Sequence, residues 1–190
     1  MKPEQLIENY KEKHATDKSY GTGGMVEHAY ELELLLPKGS TILDYGCGKG
    51  NMVNYLNRRD FSCAGYDPAI PKFSKFPEQE FDAIICLDVL EHLMEDQVED
   101  IFNGMKGMKP KYIVFHICHA EAIHKFPDGR NCHETVRPMV WWHEKMNKSF
   151  SGYSIRQLVQ VDARSSRWLV ERHDMQRSRL PGLKDPLQDQ

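Results

Sequence analysis

The sequence predicts an α/β fold centred on a mostly parallel sheet, and three observations predict it. Thr41-Ile42-Leu43-Asp44-Tyr45-Gly46-Cys47-Gly48-Lys49-Gly50 runs from a short apolar strand through an acidic residue into a turn with three alternating glycines; helical spacing begins just after it. Ala83-Ile84-Ile85-Cys86-Leu87 is apolar without alternation, as in a strand covered on both faces. Helical patterns stand between successive apolar runs, the order that builds parallel sheets.

Composition bounds the class. The 190 residues suit one domain with a sizeable core. A formal net charge of -3 gives no overall basic signature for nucleic acid. No apolar run reaches membrane-spanning length, and MKPEQLIENY has no signal-peptide core. Five cysteines at irregular spacing argue against a disulfide framework and for a reducing, cytoplasmic location. There is no internal repeat.

The elements follow in order. Residues 3–13 carry Leu6, Ile7 and Tyr10 on one helical face. Residues 14–24 read as loop. Met25, Ala29, Leu32 and Leu36 mark a second helix, stopped by Pro37-Lys38-Gly39. After the first strand, Met52, Val53 and Leu56 form a helix face for the sheet. Phe61–Tyr66 is the second strand, ended by Asp67. The interval PAIPKFSKFPEQE holds three prolines, which forbid much regular structure. Leu90, Leu93, Met94, Val98, Ile101, Phe102 and Met105 predict one helix after the 81–87 strand. Tyr112–Ile117 is the next buried strand. Pro138 can start a helix through Met146, with Met139, Trp142 and Met146 on one face. Tyr153–Val161 and Arg167–Arg172 predict a C-terminal antiparallel hairpin, and residues 173–190 a mobile tail.

The glycine turn is a socket for a nucleotide-like cofactor. Glycines permit positive φ and let a ligand press on bare backbone, and the next helix points free N–H groups at the turn. A dinucleotide fingerprint would need a third glycine at position 51, which is Asn51. That spacing disfavours a dinucleotide oxidoreductase.

The acidic residue followed by G-x-G-x-G resembles the first motif of class I S-adenosylmethionine-dependent methyltransferases. Three further stretches match in order: Gly65-Tyr66-Asp67, Phe81-Asp82-Ala83-Ile84-Ile85-Cys86, and Asp88-Val89-Leu90-Glu91-His92-Leu93. The last resembles the VLEHL segment of type 11-like members. The order PDGxNxH followed by RPxxWW is similar to small bacterial and phage-type methyltransferases. The resemblance implies a Rossmann-like sheet and S-adenosylmethionine as cofactor. It implies cofactor contacts at Asp44, Gly46, Cys47, Gly48, Gly50, Asp67, Pro68, Leu87 and Asp88, with Asp67 on the ribose. It also implies that residues 1–37 lie across the cofactor as a helical lid on a single 1–172 domain, with Tyr10, His14 and Tyr20-Gly21 the residues to watch. The chain departs from the pattern between Asp67 and Phe81, where 13 residues replace a helix, a strand and a helix. The third strand is therefore expected to be missing or reduced, giving a family order of 2-1-4-5-7-6. Ile70, Phe73 and Phe76 then either wall the adenine or cover the sheet edge.

The segment 118–143 follows the carboxyl end of a central strand and is long for a connection, so it should present the acceptor. His119 and His133 are candidates for a base or a substrate-binding group, since imidazole titrates near pH 6.5. Asp128, Arg130, Asn131 and Trp142 are candidate substrate contacts. Their competing readings are turn chemistry and core. The segment is rich in histidine and cysteine, yet it has no C-x-x-C pair and no H-E-x-x-H, so no metal is expected. The expected function is methyl transfer to a small polar acceptor, with nucleic acid disfavoured as partner and oligomeric state open. The alternative is a non-catalytic binding or regulatory protein on the same fold.

Overall fold

The computed structural model describes residues 3–22, 29–162 and 164–174. Among the described residues, five helices and six strands follow one another: α1 Pro3–Thr16, α2 Tyr30–Leu35, β1 Thr41–Tyr45, α3 Asn51–Asn57, β2 Ser62–Tyr66, β3 Ala83–Leu87, α4 Glu95–Gly107, β4 Tyr112–Cys118, α5 Met139–Ser149, β5 Tyr153–Asp162 and β6 Ser165–Arg172. The six strands form one sheet in the order β2-β1-β3-β4-β6-β5. The first four are parallel, and β6 runs antiparallel to both β4 and β5. This is the Rossmann-like order expected when the family's third strand is absent. Residues 67–81 contribute only a 3₁₀ turn, Pro71–Phe73, as the prolines require.

Both faces of the sheet are covered, which explains the unbroken apolar runs. On one face, Ile84, Cys86, Ile113 and Phe115 pack with α4 and α5 through Phe102, Met105, Trp142 and Met146. On the other, Ile42, Ile85, Val114 and Leu169 pack with α2 and α3 through Leu32, Met52, Val53 and Leu56. Each such fully buried side chain contributes about 1.5–3 kcal/mol.

The helix expected from Leu90 is split. Leu90–His92 form a 3₁₀ turn, Leu93 and Met94 are extended, and α4 starts at Glu95. The Met94 amide donates to Gln97 Oε1 at 3.0 Å, so the break is capped. It lets Glu91 and His92 face the sheet's carboxyl end instead of following the helix. The second helix is observed from Tyr30; its expected start at Met25 lies outside the described residues. Of the expected tail at 173–190, residues 175–190 lie outside them as well. Among the described residues no helix is long and apolar enough to cross a membrane.

The chain passes from β1 outward to β2, then returns to place β3 on the other side of β1. The carboxyl ends of β1 and β3 therefore flank a topological switch point, where open α/β sheets bind ligands.

Candidate active site

A cavity of about 900 Å³ opens at this switch point. Its floor is the glycine turn after β1, one wall follows β3 and β4, and residues of α1 and of 19–22 cover it.

The turn's donors are already used. The amides of Gly46 and Cys47 donate to the Tyr66 carbonyl, Lys49 donates to Gly21, and Gly50 to Cys47. The Gly48 amide donates to Asp67 Oδ2 at 2.9 Å. Gly46 and Gly48 have φ of 77° and 51°, where a side chain is strained. A Cβ on Gly46 would stand 2.2 Å from Val89 Cγ2, and one on Gly48 2.8 Å from the Gly21 carbonyl. The glycines are needed so that the turn closes against its own protein neighbours. Gly50, at φ 82°, packs against the Phe73 ring and does not line the cavity.

Five carboxyl groups line the cavity, Asp44, Asp67, Asp88, Glu91 and Glu121. Asp67 is buried and also accepts from the Ala69 amide at 2.9 Å, so it couples the end of β2 to the glycine turn. Asp44 is buried, and its Oδ2 has no hydrogen-bond partner. Burial, then the charge of Asp67, raises its pKa to about 7. Asp88 closes β3 at φ 53°, an unusual conformation for a residue with a side chain. Its Oδ1 accepts from His116 Nδ1 at 2.6 Å.

The opposite end is a cluster of rings. His92 Nδ1 lies 2.9 Å from the Tyr10 hydroxyl and 3.0 Å from the Cys132 carbonyl. Burial, then nearby His133, pulls the His92 pKa down to about 4. His133 stands edge-to-face with His92 at 4.7 Å. Its Nδ1 donates to the Ala120 carbonyl at 2.6 Å, which leaves the lone pair on Nε2. Burial lowers its pKa too, so the ring is neutral at pH 7. Tyr10 also donates to the Cys132 carbonyl at 2.6 Å, and Leu6 packs with Phe126 and Cys132. These contacts join α1 to the long loop.

A family model described as a methyltransferase domain matches residues 26–161. The chain belongs to that family. No curated protein matches it in sequence. Solved methyltransferases share the fold at low identity. A 1,6-didemethyltoxoflavin-N1-methyltransferase from Burkholderia thailandensis, with bound S-adenosylhomocysteine, is 14% identical, with 90% of this chain and 91% of that one covered and a TM-score of 0.62. The magnesium protoporphyrin IX methyltransferase of Synechocystis PCC 6803, also with bound S-adenosylhomocysteine, is 16% identical over 80% and 83%, with a TM-score of 0.58. The small RNA methyltransferase HEN1 is 18% identical over 77% of this chain, with a TM-score of 0.57, and the chain spans only 25% of that protein.

In this chain, Asp44, Gly46, Cys47, Gly48, Asp67, Pro68, Leu87, Asp88 and His133 all line the cavity. Gly50, His119, Asp128, Arg130, Asn131 and Trp142 do not. His119 follows the alternation of β4 to the other side, where its Nε2 lies 2.7 Å from Ser166 Oγ. Trp142 is fully buried on the face of α5 that packs on the sheet, so it is a core residue. Asp128 and Arg130 are exposed and paired at 2.8 Å across a turn. Asn131 exchanges hydrogen bonds with the Ala122 backbone and accepts from the His133 amide, which shapes the loop. Phe76 packs on Tyr66, and Phe73 on Gly50 and Gly65, so this segment covers the sheet edge. The cavity wall there comes from Tyr66, Pro68 and Ala69 instead.

Sequence reasoning missed Glu91, which is fully buried yet ionisable. Its three-residue spacing from Asp88 was the available signal, but helical periodicity would have turned it to solvent.

Proposed function

We propose that the protein transfers a methyl group from S-adenosylmethionine to a small polar acceptor. The observation that carries this reading is the unpartnered Oδ2 of buried Asp44 beside the glycine turn, in a cavity lined by five carboxyl groups. S-adenosylmethionine brings a cationic sulfonium and an ammonium, and the methyl on the sulfonium leaves by in-line displacement. Asp44 suits the cationic end, and Asp67 has acceptor capacity left for ribose hydroxyls. A volume of about 900 Å³ is near the top of the usual range for one ligand, roughly 300–1,000 Å³, so an acceptor fits beside the cofactor.

The chain then supplies proximity, orientation and a place for the acceptor's proton. His133 holds its Nε2 lone pair ready at neutral pH and is the group we assign to that proton. Residues 3–22 act as a lid, since α1 joins the acceptor loop and Gly21 rests on the glycine turn. Arg156, Arg167 and Arg172 pair with Glu171, Glu31 and Asp174, which favours a small acceptor over nucleic acid. Five free cysteines suit the cytoplasm.

Calorimetric titration with S-adenosylhomocysteine tests the reading. Saturable binding is expected, and Asp67→Ala should weaken it by about tenfold or more, the loss of one or two hydrogen bonds to a charged group. Absence of binding by the wild-type protein, or unchanged affinity in Asp67→Ala, refutes the assignment. With an acceptor in hand, His133→Gln should lower turnover by about 10²-fold while cofactor affinity holds; a parallel loss of both would make His133 structural.

A further inference from the structure

On the acceptor side of the cavity, three side chains from separate parts of the chain converge. Glu91 comes from the 3₁₀ turn after β3, Cys118 from the end of β4, and His133 from the long loop. Each offers one ligand atom, and these atoms all lie within 4.8 Å of one another. Glu91 anchors the group. It is fully buried, and its Oε1 accepts from the Cys118 amide at 3.0 Å. Its Oε2 is buried with no hydrogen-bond partner. A buried carboxyl oxygen left without a partner costs about 1–3 kcal/mol, so folds seldom retain one without a use. Burial, then the neighbouring charge of Asp88, pushes the Glu91 carboxyl well above its ordinary pKa. A cation here would both complete Oε2 and offset two crowded carboxyl groups.

We propose that Glu91, Cys118 and His133 bind a divalent transition-metal ion of the zinc type. One oxygen, one thiolate sulfur and one imidazole nitrogen form a borderline-soft donor set, which suits zinc and not magnesium or calcium. Three protein ligands leave a fourth position, as in catalytic rather than structural zinc sites. In a tetrahedral site with bonds of about 2.0–2.3 Å, ligand atoms stand about 3.3–3.8 Å apart. The trio therefore needs to close by about 1.5 Å at most from its 4.8 Å outer bound. The Ala120 carbonyl, holding His133 through Nδ1, fixes the ring as outer-shell partners do around metals. The fourth position would face the cavity and take a hydroxyl, thiol or amine of the acceptor. This inference rests on the proposed function and revises its acceptor half: with the ion bound, His133 would be a ligand instead of the proton acceptor, and an acceptor coordinated at the fourth position would lose its proton to solvent.

The test uses the full chain after treatment with a chelator. Zn²⁺ is titrated in competition with a zinc indicator, and Co²⁺ is titrated while the thiolate-to-cobalt absorption band is followed. One equivalent per chain and a thiolate band are expected. Cys118→Ser should abolish the band, and both Cys118→Ser and Glu91→Gln should weaken Zn²⁺ at least about tenfold. Glu91→Gln keeps the side chain's shape and its bond to the Cys118 amide, so it guards against a folding artefact. S-adenosylhomocysteine affinity, measured on each variant, reports separately whether the cofactor half is intact. No saturable binding by the wild-type chain, a band that survives Cys118→Ser, or unchanged Zn²⁺ affinity in either variant overturns the proposal.

Discussion

The two halves of the cavity are built in different ways. The cofactor half is almost contiguous in sequence: Asp44 to Gly48 form it, with Asp67 tied to the Gly48 amide at 2.9 Å. The acceptor half draws on α1, the turn after β3, the end of β4 and the long loop, held by single contacts such as the Tyr10–Cys132 hydrogen bond of 2.6 Å. The first half carries its geometry in its own backbone angles. The second exists only when four distant segments are packed together. A contiguous motif can be read from residue types, whereas an assembled one depends on which side chains the fold turns inward.

The sharpest way to break this comparison is Gly46→Val. Positive φ and a Cβ against Val89 should together cost about 3 kcal/mol or more, from backbone strain and overpacking. A chemical denaturation midpoint well below wild type, with cofactor binding lost, is expected. A variant that keeps its stability would show that the turn is not locally constrained.

A smaller effect should separate the halves by pH. The Asp44 carboxyl is held near 7, so it is neutral below that pH and ionised above it. A cation prefers the ionised form, so S-adenosylmethionine affinity should rise between about pH 6 and 8, and Asp44→Asn should flatten the rise. In the acceptor half, His92 is held down to about 4 and stays neutral over this range, and burial shifts His133 in the same direction. A rise that survives in Asp44→Asn would move the titrating group elsewhere.

The smallest effect is expected at Arg130→Ala. Its ion pairs with Asp128 and Glu134 lie at the surface and off the cavity, so stability should change by less than about 0.5 kcal/mol. Cofactor affinity should not move. A large loss of either would mean that the 125–131 turn reaches the site.

How much was legible follows the same division. The strand order could be inferred because 13 proline-rich residues leave no room for a third strand, and the chain must then place β3 directly beside β1. The nine candidate site residues that line the cavity include eight that end a strand or form its turn, positions that apolar runs and glycines announce. Trp142 was ambiguous because helical spacing does not tell a core face from a pocket wall. His119 and Cys118 are neighbours in sequence, and only the pleat sends one out of the cavity and the other into it.

By itself, the sequence determined the parallel sheet, the glycine turn and the acidic residues at the ends of β1 and β2, because local backbone preference and buried apolar runs are short-range properties. The tertiary structure alone decided the acceptor half. The break before α4 turns Glu91 inward, β4 presents Cys118 beside it, and α1 braces the loop that carries His133. Those contacts join residues up to 122 positions apart, and nothing local to any of them specifies the others.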